Sequence, residues 1–140
     1  GGGPNRLSSA GGPLSPAAAV AELAGRVLIA MLFLAGAVQK ALAPQGAIEL
    51  LALAGLPALL VWPALAFNLV AGLLLLAGWA VRPVGLALAA YCIVTSGFHA
   101  LLGGPWQMTI VAKNWTIAGG CLLLAAHGPG PWRLPLPRRR

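Results

Sequence analysis

Five side chains in an otherwise apolar sequence are of types that bind ligands or move protons: Lys40, Asn68, Thr95, His99 and Lys113. Ammonium and imidazole groups can contact anionic or carbonyl oxygens, and the amide and hydroxyl can orient such a group. Lys113 is the most informative. It stands inside an apolar run, on one helix face with Thr109 and Thr116, by the i, i+3, i+4 rule. An ammonium at that depth costs about 2.5–3.5 kcal/mol on insertion scales. Met would fill the same volume without the desolvation cost. Lys113 therefore snorkels outward, sheds its charge, or meets an anionic ligand, a partner carboxylate or the loop acid Glu49; we read it as facing a ligand. His99 reads equally as an interfacial hydrogen-bonder and as a member of the same pocket.

Other chemistries find no constellation. Cys92 and Cys121 lie 29 residues apart inside apolar runs and read as small buried hydrophobes. There is no C-x-x-C, no metal-ligand spacing, no nucleophile–base pair, no phosphate-binding Gly loop and no nucleic-acid motif. His99 and His127 fall near opposite membrane faces, which excludes a shared haem. No intrinsic cofactor is expected.

The elements that must position these residues follow from composition. The chain has 140 residues, 59% hydrophobic and 8% charged, and Glu22 and Glu49 are its only acids. Soluble domains carry roughly 25% charged residues, so a soluble enzyme, a disordered tail and a disulfide-rich module are all excluded. The net charge of +7 does not point to nucleic acid, because the basic residues sit at the ends of apolar runs, as in a membrane protein. The expected fold is all-α, an integral membrane four-transmembrane-helix bundle, and its first partner is the lipid bilayer.

Residues 1–15, rich in Gly, Pro and Ser, read as a flexible arm and not as a signal peptide. Residues 16–128 are the membrane domain, and 129–140 a basic, Pro-rich cytoplasmic tail. Ser15-Pro16 starts the first helix as N-cap and first residue, and it runs to about Ala43. A short apolar segment, 47–54, is expected as a helix at the interface or against the bundle. The second helix spans about 57–81 with a kink at Pro63, and Arg82-Pro83 is a tight connection. The third spans 84–102, and the fourth runs from about 105 to near His127.

Four spans put both ends of the domain on one side. Arg6, Arg26, Arg82, Arg133, Arg138, Arg139 and Arg140 all fall on that side, which the positive-inside rule assigns to the cytoplasm. Inward faces are expected at Glu22, Arg26, Ile29, Phe33, Gly36 and Lys40; at Leu65, Asn68, Gly72, Leu75 and Trp79; at Tyr91, Thr95 and His99; and at Trp106, Thr109, Lys113, Thr116 and Gly120. Gly36, Gly72 and Gly120 let helices approach. Glu22 and Arg26 are expected to form a local i, i+4 ion pair. At 1.5 Å per residue, Lys40 and His99 lie about 6 Å from the outer ends, Lys113 and Thr95 about 12 Å and Asn68 about 16 Å. The polar cluster thus opens to the side away from the termini.

The sequence RVLIAMLFLAGAVQKALAP, with Gly36 and Lys40, resembles the first helix of the DoxX family. The AGLP before the second helix, Gly78 with Arg82-Pro83, Phe98-His99, Lys113-Asn114 with Gly119-Gly120, and Gly128-Pro129-Gly130 extend the resemblance over roughly residues 24–133. It implies a small four-helix protein of the bacterial inner membrane, tied to quinone-linked redox systems. One relative is a subunit of a thiosulfate:quinone or terminal quinol oxidoreductase, and another assembles with soluble antioxidant and sulfur-transfer enzymes. Family members often carry an acid where Asn68 stands; a pair between that acid and the lysine at Lys113 would be missing here.

Two functions follow as expectations. One is a redox-linked subunit that docks a quinone or small sulfur compound in the polar pocket, with Lys40, Lys113 and His99 on its oxygens. The other is a non-catalytic structural or assembly subunit of a larger membrane complex. Either implies other protein subunits as partners and no nucleic acid. With no cofactor site of its own, the chain would borrow a partner's cofactor or use bound quinone. No inverted repeat supports a transporter.

Overall fold

The computed structural model describes residues 15–135. Among the described residues five α-helices succeed one another: α1 Pro16–Leu42, α2 Gln45–Leu53, α3 Val61–Ala77, α4 Val81–Leu102 and α5 Pro105–His127. A 3₁₀ turn, Ala58–Leu60, leads into α3. Among the described residues, four helical stretches of 20–27 residues are long and apolar enough to cross a membrane: α1, the turn with α3, α4 and α5. The fold is the expected four-helix membrane bundle, with α2 as the short fifth helix in the first connection. Of the arm assigned to residues 1–15, residues 1–14 lie outside the described residues, as do the last five residues of the tail.

Local chemistry sets most boundaries. Ser15 Oγ accepts from Ala18 N at 3.1 Å, with Pro16 opening the helix behind it. Pro44 ends α1, since it cannot donate to the preceding turn. Gly103 and Gly104 take positive φ between α4 and α5. Two boundaries differ from the sequence reading. The second spanning helix stops at Ala77, because Gly78 adopts the left-handed conformation (φ +82) and its N–H returns to the Leu74 and Leu75 carbonyls. Arg82-Pro83 is therefore not the connection but the first turn of α4, where proline's missing N–H leaves no bond unmade. The irregularity expected at Pro63 falls just before it, as the 3₁₀ turn.

Packing divides the bundle into two close pairs, α1 with α3 and α4 with α5. In the first pair, Gly72 lies so close to α1 that a Cβ there would meet Leu34 Cγ at 2.7 Å and the Ala30 carbonyl at 3.3 Å. In the second, a Cβ on Gly85 would meet the Cys121 carbonyl at 2.7 Å and Ala125 N at 3.1 Å. Small residues thus bring backbones together, the packing that membranes favour. The sealed core joins Ala30, Phe33, Ala71, Leu75, Leu88, Cys92, Ala118 and Cys121. Both cysteines are buried and free.

The face expected to point inward on the last spanning helix is corrected. Trp106, Thr109, Lys113 and Thr116 are exposed, and α5 instead seals Ala118 and Cys121 against α4. The approach at Gly85 turns the small residues of α5 toward α4. The Thr109 and Thr116 hydroxyls need no partner helix, because they donate to the Pro105 and Ala112 carbonyls of their own helix.

The expected Glu22–Arg26 ion pair is likewise not made. Arg26 is 2% exposed, and its guanidinium donates to the carbonyls of Pro129 and, at 2.7 Å, Trp132. Glu22 Oε2 is buried with no hydrogen-bond partner among the described residues. Trp79 Nε1 donates to the Leu134 carbonyl and Leu134 N to the Ala77 carbonyl. Arg82 caps α5, donating to the Ala126 carbonyl at 2.7 Å. Through these bonds residues 128–134 strap the end of the bundle where the described chain begins and finishes. The fork of donors on one guanidinium lets Arg26 reach two loop carbonyls at once.

Candidate ligand cavity

At the end opposite the strap, a cavity of about 470 Å³ penetrates the bundle. Each spanning helix sends polar residues to it, and α2 lies against its mouth with Ala47, Leu50 and Leu51. Lys40, Asn68, Thr95, His99 and Lys113 all line it. They come together because each lies within the half of its helix that approaches this end, α1 and α4 by their C-terminal halves, α3 and α5 by their N-terminal halves.

Asn68, 1% exposed, is the buried centre of the polar wall. Its Oδ1 accepts from Lys40 Nζ at 2.8 Å and from the Tyr91 hydroxyl at 3.4 Å. An ammonium only donates, so Lys40 fixes the amide with its oxygen toward the cation. Lys40 thus bends into the bundle instead of snorkelling, and room for it comes from Gly36, whose Cβ position is 3.8 Å from Nζ. The partner of the residue at position 68 is therefore Lys40, not Lys113. Asn68 Nδ2 is buried without a hydrogen-bond partner among the described residues.

His99 Nδ1 lies 2.7 Å from Gln107 Oε1. When Nδ1–H donates to that oxygen, Nε2 keeps its lone pair. Gln107 was not singled out from the sequence; the signal was its place just beyond the Gly103-Gly104 turn, which folds α5 back on α4. Thr95 Oγ1 is spent on the Tyr91 carbonyl at 2.8 Å and serves as wall rather than as a free donor. Lys113 is exposed at the edge of the cavity. No described residue accepts from its ammonium, and Glu49, exposed on α2, is not part of the wall.

The wall thus carries two lysines and no acidic side chain among the described residues, beside an apolar side formed by Leu32, Phe33, Phe98, Ile110 and Ile117. Cations without counter-ions in a low-dielectric setting favour a ligand that brings oxygen acceptors. No group of three His, Cys, Asp or Glu residues that could hold a metal ion occurs among the described residues.

The family model described as DoxX matches residues 21–100. The chain is 28% identical over 116 residues to the inner membrane protein YqjF of Escherichia coli (strain K12), a match that covers 82% of this chain and 89% of that protein. No solved structure matches the chain.

Proposed function

The chain belongs to the DoxX family, and from that premise we propose that it is a small inner-membrane subunit of a quinone-linked redox complex, with the cavity as the site of the quinone ring. The observation that carries this reading is the wall itself: donors and no acid on one side, apolar and aromatic residues on the other. Its volume of about 470 Å³ lies within the range of about 300–1,000 Å³ usual for small-molecule sites.

A quinone, when bound, supplies two-electron, two-proton chemistry. Lys40, held by Asn68, keeps two N–H groups for a carbonyl oxygen. Lys113 places a second cation at the edge, where it stabilises negative charge on the same ring. His99, oriented by Gln107, can accept a hydroxyl proton at Nε2 and release it toward the mouth. Phe33, Phe98 and Ile117 exclude water from the ring face. A redox cofactor held by a partner subunit would supply or take up the electrons. Inner-membrane residence is supported by the family and by the printed name of the relative. The gathering of Arg26, Arg82 and Arg133 around the strap supports a cytoplasmic position for the termini.

The test is equilibrium binding of decylubiquinone to the protein in nanodiscs. The parent is expected to bind, and Lys113→Met to bind about tenfold more weakly or worse, the loss of one charge-assisted hydrogen bond. A parent that binds no quinone, or a Lys113→Met variant that binds as well as the parent, refutes this reading. The chain is then a non-catalytic assembly subunit whose lysine snorkels.

A further inference from the structure

Three residues of the cavity wall are exposed: Leu32, Gln39 and Lys113. All three belong to α1 and α5. These two helices barely touch, whereas α1 packs closely on α3 and α5 on α4. Every other wall residue, those of α2, α3 and α4 included, is buried or half-buried. The cavity is therefore open along one side, the seam between α1 and α5.

The depth of that seam decides what lies outside it. Leu32 is about 15 Å from the end of α1, and Ile117, on the α5 side, about 18 Å from the start of its helix, at 1.5 Å per residue. A bilayer's hydrocarbon core is about 30 Å thick, so the inner part of the opening faces acyl chains, not water. The chemistry of the wall matches that division. Lys40 and His99 lie toward the helix ends, while the deep part is Leu32, Phe33 and Ile117, with the amide of Asn68 as its polar group. Further along the seam the helices close again, with Ile29 Cδ1 3.4 Å from the Cβ position of Gly120.

We infer that the ligand is an amphiphile that enters sideways from the bilayer between α1 and α5, its oxygen-bearing head seated at Lys40 and Lys113 and its apolar chain lying in the seam past Leu32. This rests on the cavity being a ligand site, as proposed above, but not on the ligand being a quinone; a long-tailed quinone and a bilayer lipid share the required chemistry. Lys113 stands at the rim of the portal, where its long stem can cover the apolar chain while the ammonium meets the head.

Leu32→Trp tests the portal. Leu32 is 40% exposed, so the larger ring is accommodated at the lipid-facing rim without repacking the core. Leu28→Trp, at a position 70% exposed on α1 and outside the cavity wall, is the control. Decylubiquinone and a tail-less dimethoxybenzoquinone are titrated against parent and variants in nanodiscs, and phospholipid retained by each purified protein is quantified by mass spectrometry. Displacing the two or three methylenes that pass Leu32 should weaken decylubiquinone by about tenfold or more. The tail-less ring should bind Leu32→Trp as it binds the parent, and Leu28→Trp should behave as the parent with both.

If both quinones weaken equally, or neither does, the chain does not run through the seam and the inference fails. If the parent binds neither quinone, the quinone reading fails separately. The portal then stands if the parent retains phospholipid that Leu32→Trp loses, and falls if retention is equal or absent in both.

Discussion

Adding a single methyl group to each of four glycines separates close helix approaches from open surface. At Gly85 the new Cβ would stand 2.7 Å from the Cys121 carbonyl and 3.1 Å from Ala125 N, both backbone atoms of α5. Neither can rotate away, so α4 and α5 must separate. At Gly72 the nearest atoms, at 2.7 and 2.8 Å, belong to the Leu34 side chain, which can change rotamer. At Gly97 and Gly119 nothing lies within 4 Å. Overpacking costs typically about 1–3 kcal/mol, and Gly→Ala within a helix returns about 1 kcal/mol. Gly85→Ala, whose clash is with backbone, should therefore lose up to about 2 kcal/mol, and Gly72→Ala at most about 1 kcal/mol. Gly97→Ala and Gly119→Ala should equal the parent or gain up to about 1 kcal/mol. Reversible unfolding by sodium dodecyl sulfate in mixed micelles, followed by tryptophan fluorescence, measures all four against the parent. A Gly85→Ala protein as stable as Gly97→Ala would refute the claim that backbone contact at this position sets the α4–α5 distance. Gly72→Leu, which extends the clash to the Ala30 carbonyl, should be clearly less stable than Gly72→Ala.

Lys40→Met should cost about 1–3 kcal/mol, because it strips the buried Asn68 oxygen of its charged donor, while Lys113→Met should leave stability unchanged; equal effects of the two in the same unfolding assay would contradict the assigned contacts. Arg26→Met removes two charge-assisted bonds to the strap, each worth about 1.5–3 kcal/mol, so exchange of the Leu134 amide, which is bonded to the Ala77 carbonyl, should accelerate by about tenfold or more when read by mass spectrometry; unchanged exchange would mean that Trp79 and Ala77 hold the strap alone. Cysteines placed at Ser15 and Gln45 should label from opposite sides of the membrane, Gln45 from the non-cytoplasmic side. Labelling of Gln45→Cys only from the cytoplasm would overturn the proposed orientation.

The amino-acid sequence by itself determines that this chain lives in a bilayer as four spanning helices. Two acids and long apolar runs leave no soluble alternative, and Ser15-Pro16, Pro44 and the Gly103-Gly104 pair set boundaries by local backbone chemistry. It also identifies Lys40, Asn68, Thr95, His99 and Lys113, because a polar group in an apolar span is conspicuous whatever the fold. Rotation about the helix axis was less legible. On α1 and α3 the polar and small residues share one face, and Phe33, Asn68 and Gly72 are buried as that face predicts. On α5 the Thr109–Lys113–Thr116 stripe suggested an inward face, but threonines can satisfy themselves within their own helix, and the contact at Gly85 decided the rotation instead.

Partner choice belongs to the tertiary structure as well. Arg26 abandons its i−4 neighbour for carbonyls about a hundred residues away, and Lys40 reaches Asn68 rather than leaving that position to Lys113. Only the packed chain shows that α1 and α5 stay apart while each has a close partner, and thus that the polar cluster opens sideways. Local propensity reads spacing along one helix, whereas the seam depends on which backbones approach closely, and Gly72 and Gly85 bring α3 to α1 and α4 to α5, not α1 to α5.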